Sequence, residues 1–128
     1  MSRCQRCARA VLMAACGVAL AACGASTTDA DVQAEAMHVE HGRQLLARYH
    51  CGSCHAIPGV AASQGRYAAS LDAYGQRSYI AGRVANEPAA LARWIVDPAA
   101  VVPGTLMPNM GVGLADARAM AAYLGQLR

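Results

Sequence analysis

The feature that most constrains this chain is the pentapeptide Cys51-Gly52-Ser53-Cys54-His55. Two thiols three positions apart can add across the two vinyl groups of one porphyrin, and the imidazole that follows reaches its iron from one face. The pattern C-x-x-C-H is therefore a c-type haem attachment site. A polypeptide bonded to a flat, rigid, apolar disc must build its elements around that disc. Two other readings of a bare C-x-x-C fail on their surroundings. A structural zinc site needs two further ligands at matching spacing, and no second Cys pair or H-x₃₋₅-H run follows His55. A redox dithiol needs a βαβ setting, which the Ala-rich, Gly/Pro-punctuated sequence downstream does not supply. Cys51 and Cys54 are thus read as the thioether anchors of one covalent haem c, with His55 as its nitrogen ligand.

The 128 residues leave room for one domain, and the first part of the chain does not belong to it. Arg3, Arg6 and Arg9 make a positive start, and residues 10–22 form a thirteen-residue apolar run. That is shorter than the ~20 residues that span a bilayer and matches the apolar region of a secretory signal. The run ends in Leu20-Ala21-Ala22-Cys23, which resembles the lipobox of bacterial lipoproteins. The resemblance implies cleavage before Cys23 and a diacylglyceryl group on its sulfur; Ala19-Leu20-Ala21 offers an ordinary cleavage pattern instead. Residues 1–22 are expected to be a lipoprotein signal peptide. The mature chain would then lie on the periplasmic or extracytoplasmic side of a bacterial membrane, anchored through Cys23. Of six cysteines, Cys4, Cys7 and Cys16 leave with the leader, so no pair remains for a disulfide even in a compartment that permits one.

All eleven basic residues are arginine, and three lie in the leader; the remaining eight balance eight Asp and Glu. The signs are segregated. Asp29, Asp31, Glu35 and Glu40 precede Gly42 with no Arg among them, and all eight remaining Arg follow it. With no basic run and no interleaved aromatics, a nucleic-acid partner is excluded. Residues 23–35, small, polar and acidic, read as a flexible tether, and residues 36–128 as the haem domain. Eleven tether residues, 24–34, with an r.m.s. span of ~20 Å, would keep the domain close to the membrane.

The domain reads as three helices joined by long loops. A first helix over 36–49 places Leu45, Leu46 and Tyr49 on one face. Its Gly42 costs ~1 kcal/mol in a helix, which suggests a close crossing. A second helix begins with Asn86 as N-cap and Pro88 in its first turn, and stops at Asp97-Pro98. A last helix over 115–127 carries Ala117, Met120, Ala121, Leu124 and Leu127 on one side. There is no Phe and only one Trp, a thin core for so small a domain. A covalent porphyrin would supply the missing bulk.

A sixth ligand decides the chemistry. Iron held by His alone leaves a position open to small molecules, whereas His and Met together make an electron carrier of raised potential. The loop Pro103-Gly104-Thr105-Leu106-Met107-Pro108-Asn109-Met110 offers two thioethers. Prolines on both sides of Met107 restrict φ and favour it as the ligand, with Met110 second. His38, His41 and His50 are expected at the surface.

With these residues placed, the chain resembles small bacterial class I (mono-haem) cytochromes c, and is similar to haem domains of, or serving, cytochrome c oxidases. The likeness runs from about Gly42 to Leu124. It rests on Gly42-Arg43-Gln44-Leu45-Leu46 before the haem motif, Leu91-Ala92-Arg93-Trp94-Ile95-Val96-Asp97-Pro98, the Met107 loop, and Ala121-Ala122-Tyr123-Leu124. It implies an all-α, class I cytochrome c-like fold, three to four short helices wrapped around one covalent haem c. Gly42 and Leu46 would meet Tyr123 and Leu124 where the first and last helices cross. Trp94 matches the family's tryptophan that hydrogen-bonds a haem propionate; Arg77 and Arg83 are further candidates for the propionates. Relatives carry Gly-Pro-x-Leu where this chain has Ala68-Ala69-Ser70-Leu71. The proline carbonyl that accepts the proximal imidazole N–H would here be replaced by another, that of Ala69.

The leading expectation is a non-enzymatic, lipid-anchored one-electron carrier in a respiratory chain. Its partners would be membrane-bound redox proteins such as a terminal oxidase or a quinol-oxidising complex. The alternatives are a haem-bearing accessory subunit of a membrane oxidoreductase, and a haem enzyme or gas sensor with an open sixth position.

Overall fold

The computed structural model describes residues 28–128; the expected signal peptide, Cys23 and the start of the tether lie outside the described residues. Helix α1 (Asp29–Arg48) opens on a reciprocal cap at Thr28. The Asp31 N–H donates to Thr28 Oγ1 at 3.3 Å, and the Thr28 N–H donates to Asp31 Oδ2 at 3.1 Å. Two orphan donors are satisfied at once, and Asp29 and Asp31 complement the positive end of the helix dipole. The helix therefore starts at Asp29 rather than at residue 36. Residues 29–35, expected in the flexible tether, are helical and exposed.

After α1 comes a 3₁₀ turn, Cys51–Ser53, and a second, Tyr74–Gln76. Two antiparallel two-residue strands follow, β1 (Tyr79–Ile80) and β2 (Val84–Ala85), with Tyr79 opposite Ala85 and Ile80 opposite Val84. Helix α2 (Pro88–Val96) has Pro88 at its first position, where the missing N–H costs nothing. Its N-cap is Glu87, one residue later than expected, because the Asn86 side chain is used elsewhere. Asp97 ends α2, and its Oδ1 accepts the Ala100 N–H at 3.2 Å to start the one-turn α3 (Pro98–Val101), a helix beyond the three expected. Helix α4 (Leu114–Gln126) closes the chain. Helices joined by long loops, with one short hairpin and an isolated Ala56–Gln64 bridge, make up the described residues, an all-α fold of the expected class.

The core forms where α1 and α4 cross. A Cβ on Gly42 would lie 1.9 Å from Ala119 O and 2.4 Å from Ala119 C, so the two backbones touch. The crossing falls at Ala119 and Met120, about a turn before the expected Tyr123 and Leu124. Two tyrosine hydroxyls accompany this register: Tyr49 Oη donates to Asp116 Oδ2 at 2.9 Å, and Tyr123 Oη to Pro58 O at 2.7 Å. Leu45, Leu46, Ile80, Leu91, Trp94, Ile95, Met120 and Leu124 fill the core, and α2 also packs on α4.

Candidate haem site

The haem motif is a tight turn gripped by backbone. His50 takes a left-handed conformation, φ 55°, which redirects the chain from α1 into the first 3₁₀ turn. The Cys54 and His55 N–H groups both donate to Cys51 O, at 3.3 and 3.1 Å. Gly52 is buried, and a Cβ there would lie 2.6 Å from Ser63 Cα; one on Gly65 would lie 2.3 Å from Cys54 C. The Gly65 N–H donates to Gly52 O at 3.0 Å, and Ser63 Oγ to His55 O at 3.1 Å. Only small residues let two chain segments approach this closely. No pattern in the sequence marks the Ser63–Gly65 segment as part of the site; only its backbone contacts place it there.

His55 is oriented from the side away from its free nitrogen. Its Nδ1 lies 2.7 Å from Ala69 O. A carbonyl only accepts, so Nδ1 donates here, and in the neutral ring Nε2 then keeps the lone pair that a metal needs. The contact is framed by two backbone bonds, Ala68 N–H to Cys54 O at 3.0 Å and Leu71 N–H to Ala56 O at 2.8 Å. Ala69 thus does what the sequence assigned to it, without a proline.

Both thiols are free. Cys51 is half-buried, and loss of solvent pushes its thiol pKa up; Cys54 is exposed. Trp94, on α2, is 9% exposed and belongs to the core against which Cys51 and Met107 both pack. Met107 is half-buried, with its N–H donating to Thr105 Oγ1 at 3.2 Å, whereas Met110 is 40% exposed. His38, His41 and His50 are exposed. Among the described residues no three His, Cys, Asp or Glu side chains gather into a metal cage. Arg83 is exposed near the hairpin turn, and Arg77 Nη2 donates to Ser70 O and, at 3.3 Å, to Asp72 O.

The donor set fits a covalent haem. There are two unpaired thiols on one turn, an imidazole whose tautomer leaves Nε2 available, and a thioether against the same core as the first thiol. Cys23 lies outside the described residues.

A small helical domain that crosses two helices on a glycine and presents C-x-x-C-H on the turn after the first is the architecture of a c-type haem protein. The chain belongs to the cytochrome c family, whose family model matches residues 39–128. It is similar to cytochrome c oxidase subunit 2 of Alkalihalophilus pseudofirmus, 33% identical over 88 residues, covering 68% of this chain and 25% of that protein. It is also similar to cytochrome c oxidase subunit 2 of Bacillus subtilis, 29% identical over 92 residues, covering 70% of this chain and 26% of that protein. The chain therefore spans about a quarter of the length of the curated relatives it matches. No solved structure matches it significantly.

Proposed function

We propose that the chain is a lipid-anchored, mono-haem electron carrier with His55 and Met107 as axial ligands, passing single electrons to or from a membrane-bound respiratory complex. The observation that carries this reading is the Nδ1 contact of His55 with Ala69 O, which fixes the imidazole with Nε2 free beside two unpaired thiols. When bound, haem iron supplies a one-electron ferrous–ferric couple. The chain's own residues do the rest. Cys51 and Cys54 anchor the porphyrin covalently, and Ala69 O holds the His55 proton and makes the opposite nitrogen a better donor. Met107, half-buried where Met110 is solvated, is the better placed thioether to close the sixth position and exclude small molecules. Trp94 offers a mostly buried indole N–H to a propionate.

A terminal oxidase is the favoured partner class, because both named relatives are oxidase subunits. This keeps open the second reading, a haem-bearing accessory subunit bound permanently to such a complex. Anchoring through Cys23 on the extracytoplasmic side rests on the sequence of the leader. Among the described residues no helix is long and apolar enough to cross a membrane.

The test is optical spectroscopy of Met107→Ala and Met110→Ala after expression with a haem-attachment system. Met107→Ala should lose the near-infrared Met–ferric band and bind carbon monoxide rapidly when reduced, while Met110→Ala keeps the parent spectrum. The reverse pattern would move the ligand to Met110, and a parent protein that already binds carbon monoxide would refute a closed sixth position.

A further inference from the structure

The loop that presents Ala69 O to His55 is built from small residues and contains no proline, so on its own it would sample many backbone conformations. It is nonetheless held. The peptide unit joining Ser70 to Leu71 is gripped at both poles: its N–H donates to Ala56 O at 2.8 Å, and its C=O accepts from Arg77 Nη2. The same nitrogen donates to Asp72 O at 3.3 Å. Ser70 Oγ donates to Asp72 Oδ2, and the Asp72 N–H donates back to Ser70 Oγ at 3.2 Å, closing the turn.

Arg77 is itself fixed. Its guanidinium lies over the Tyr74 ring, 5.2 Å from the centroid. The Asn86 amide donates to Arg77 O at 2.9 Å and to Tyr74 O at 3.3 Å, which is why Asn86 does not cap α2. Tyr74 is buried, and the next residue, Gly75, sits so close to α4 that a Cβ on it would lie 2.1 Å from Gly125 O. The grip therefore runs from the last helix, through the second 3₁₀ turn, to the loop beside His55.

We propose that Arg77 is a positioning residue for the iron's nitrogen ligand: by holding the Ser70–Asp72 turn it keeps Ala69 O on the His55 Nδ1 proton, supplying through side-chain bonds the stiffness that a proline would give. The proposal rests on His55 being the iron ligand. It accounts for an arginine rather than a lysine, since a planar guanidinium can stack on Tyr74 while its donors engage two carbonyls, which an ammonium cannot do. A half-buried arginine near a haem could instead act purely as a charge, neutralising porphyrin carboxylates. The two roles differ in what restores a lost function, charge or stiffness.

Five haem-loaded chains separate them: parent, Arg77→Ala, Arg77→Lys, Ala69→Pro, and Arg77→Ala combined with Ala69→Pro. Ala69 uses its N–H in none of the backbone bonds described and has no positive φ, so proline removes no bond there. The readout is the hydrogen-exchange rate of the His55 Nδ1 proton, followed by NMR in the reduced protein, where exchange reports local opening. A lost hydrogen bond to a charged group is worth enough to speed exchange about tenfold or more in Arg77→Ala. Arg77→Lys should also stay fast, and the double variant should return to near the parent rate. An unchanged rate in Arg77→Ala, full recovery in Arg77→Lys, or no rescue by Ala69→Pro would each overturn the proposal. If Arg77→Ala fails to fold, Arg77→Lys and a sixth chain, Arg77→Lys combined with Ala69→Pro, decide on the same criteria. Chains with a normal haem spectrum and unaltered exchange overturn the role of Arg77 alone. Chains that carry no porphyrin overturn that role and the haem reading together.

Discussion

Replacing Gly42 by alanine should separate the two helices that carry the fold. The new Cβ would lie 1.9 Å from Ala119 O, whereas ordinary contact begins near 3.4 Å, so the backbones must part by 3.4 − 1.9 = 1.5 Å. The obstacle is a carbonyl inside α4, which cannot rotate aside as a side chain could. Leu45 and Leu46 on one helix and Ala119 and Met120 on the other are each 2% exposed or less, so a gap of that size opens directly in the core. Overpacking costs ~1–3 kcal/mol, and the rigid carbonyl argues for the upper end. Alanine returns ~1 kcal/mol of helix propensity, leaving a net loss of ~2 kcal/mol. For a domain of this size that lowers the melting temperature by about 8–16 °C. Thermal unfolding followed by far-ultraviolet circular dichroism and haem absorbance measures it. Gly125→Ala is the control: it lies in α4 with nothing within 4 Å of its added Cβ, so it should gain up to ~1 kcal/mol. A Gly42→Ala protein melting at or above the parent, beside a well-behaved Gly125→Ala, would refute a backbone-to-backbone crossing.

Glu40, bonded to Arg43 and Gln44, is held down from its ordinary 4.5 to about 2. Its folded value is the lower one, so its stabilisation is complete above pH 4.5 and is lost as pH falls from 4.5 towards 2. Acid titration of helicity should show Glu40→Gln below the parent at neutral pH, with the two curves converging through that window; parallel curves would mean the Glu40–Arg43 contact contributes nothing. Gly65→Ala would place a methyl 2.3 Å from Cys54 C and 2.6 Å from His55 N, both backbone. It should lower the fraction of chains bearing haem, read by intact mass, while Gly113→Ala, with nothing within 4 Å of its Cβ, should leave that fraction unchanged.

The haem motif was legible because its chemistry is local: five consecutive residues carry both anchors and the nitrogen ligand. The last helix and the end of α2 were legible from apolar spacing and from Asp97-Pro98. The start of α1 was hidden by composition, since a small, acidic stretch looks like a linker. The signal was present in Thr28 and Asp31, whose mutual bonds a cap rule reads only when aspartate is allowed three positions after the threonine. Gly42 announced a close crossing but not its register, because the part of α4 it meets depends on ties at Tyr49 and Tyr123 that join residues far apart in the chain. Arg77 was legible as a candidate for the propionates but not as a brace for the Ala69 loop, for the same reason. Its acceptors are main-chain oxygens, which no side-chain pattern reveals.

Helix α4 is fastened at three stations: by Tyr49 Oη to the residue that ends α1, by bare backbone to α1 at Gly42, and by Tyr123 Oη to the loop after the haem motif. A frame so locked cannot slide or swivel when one electron arrives or leaves. With Met107 as the proposed sixth ligand, any geometric response would fall on the Ala69 and Met107 loops. Little reorganisation energy would then be needed, and exchange with a partner would be governed by how closely the two approach.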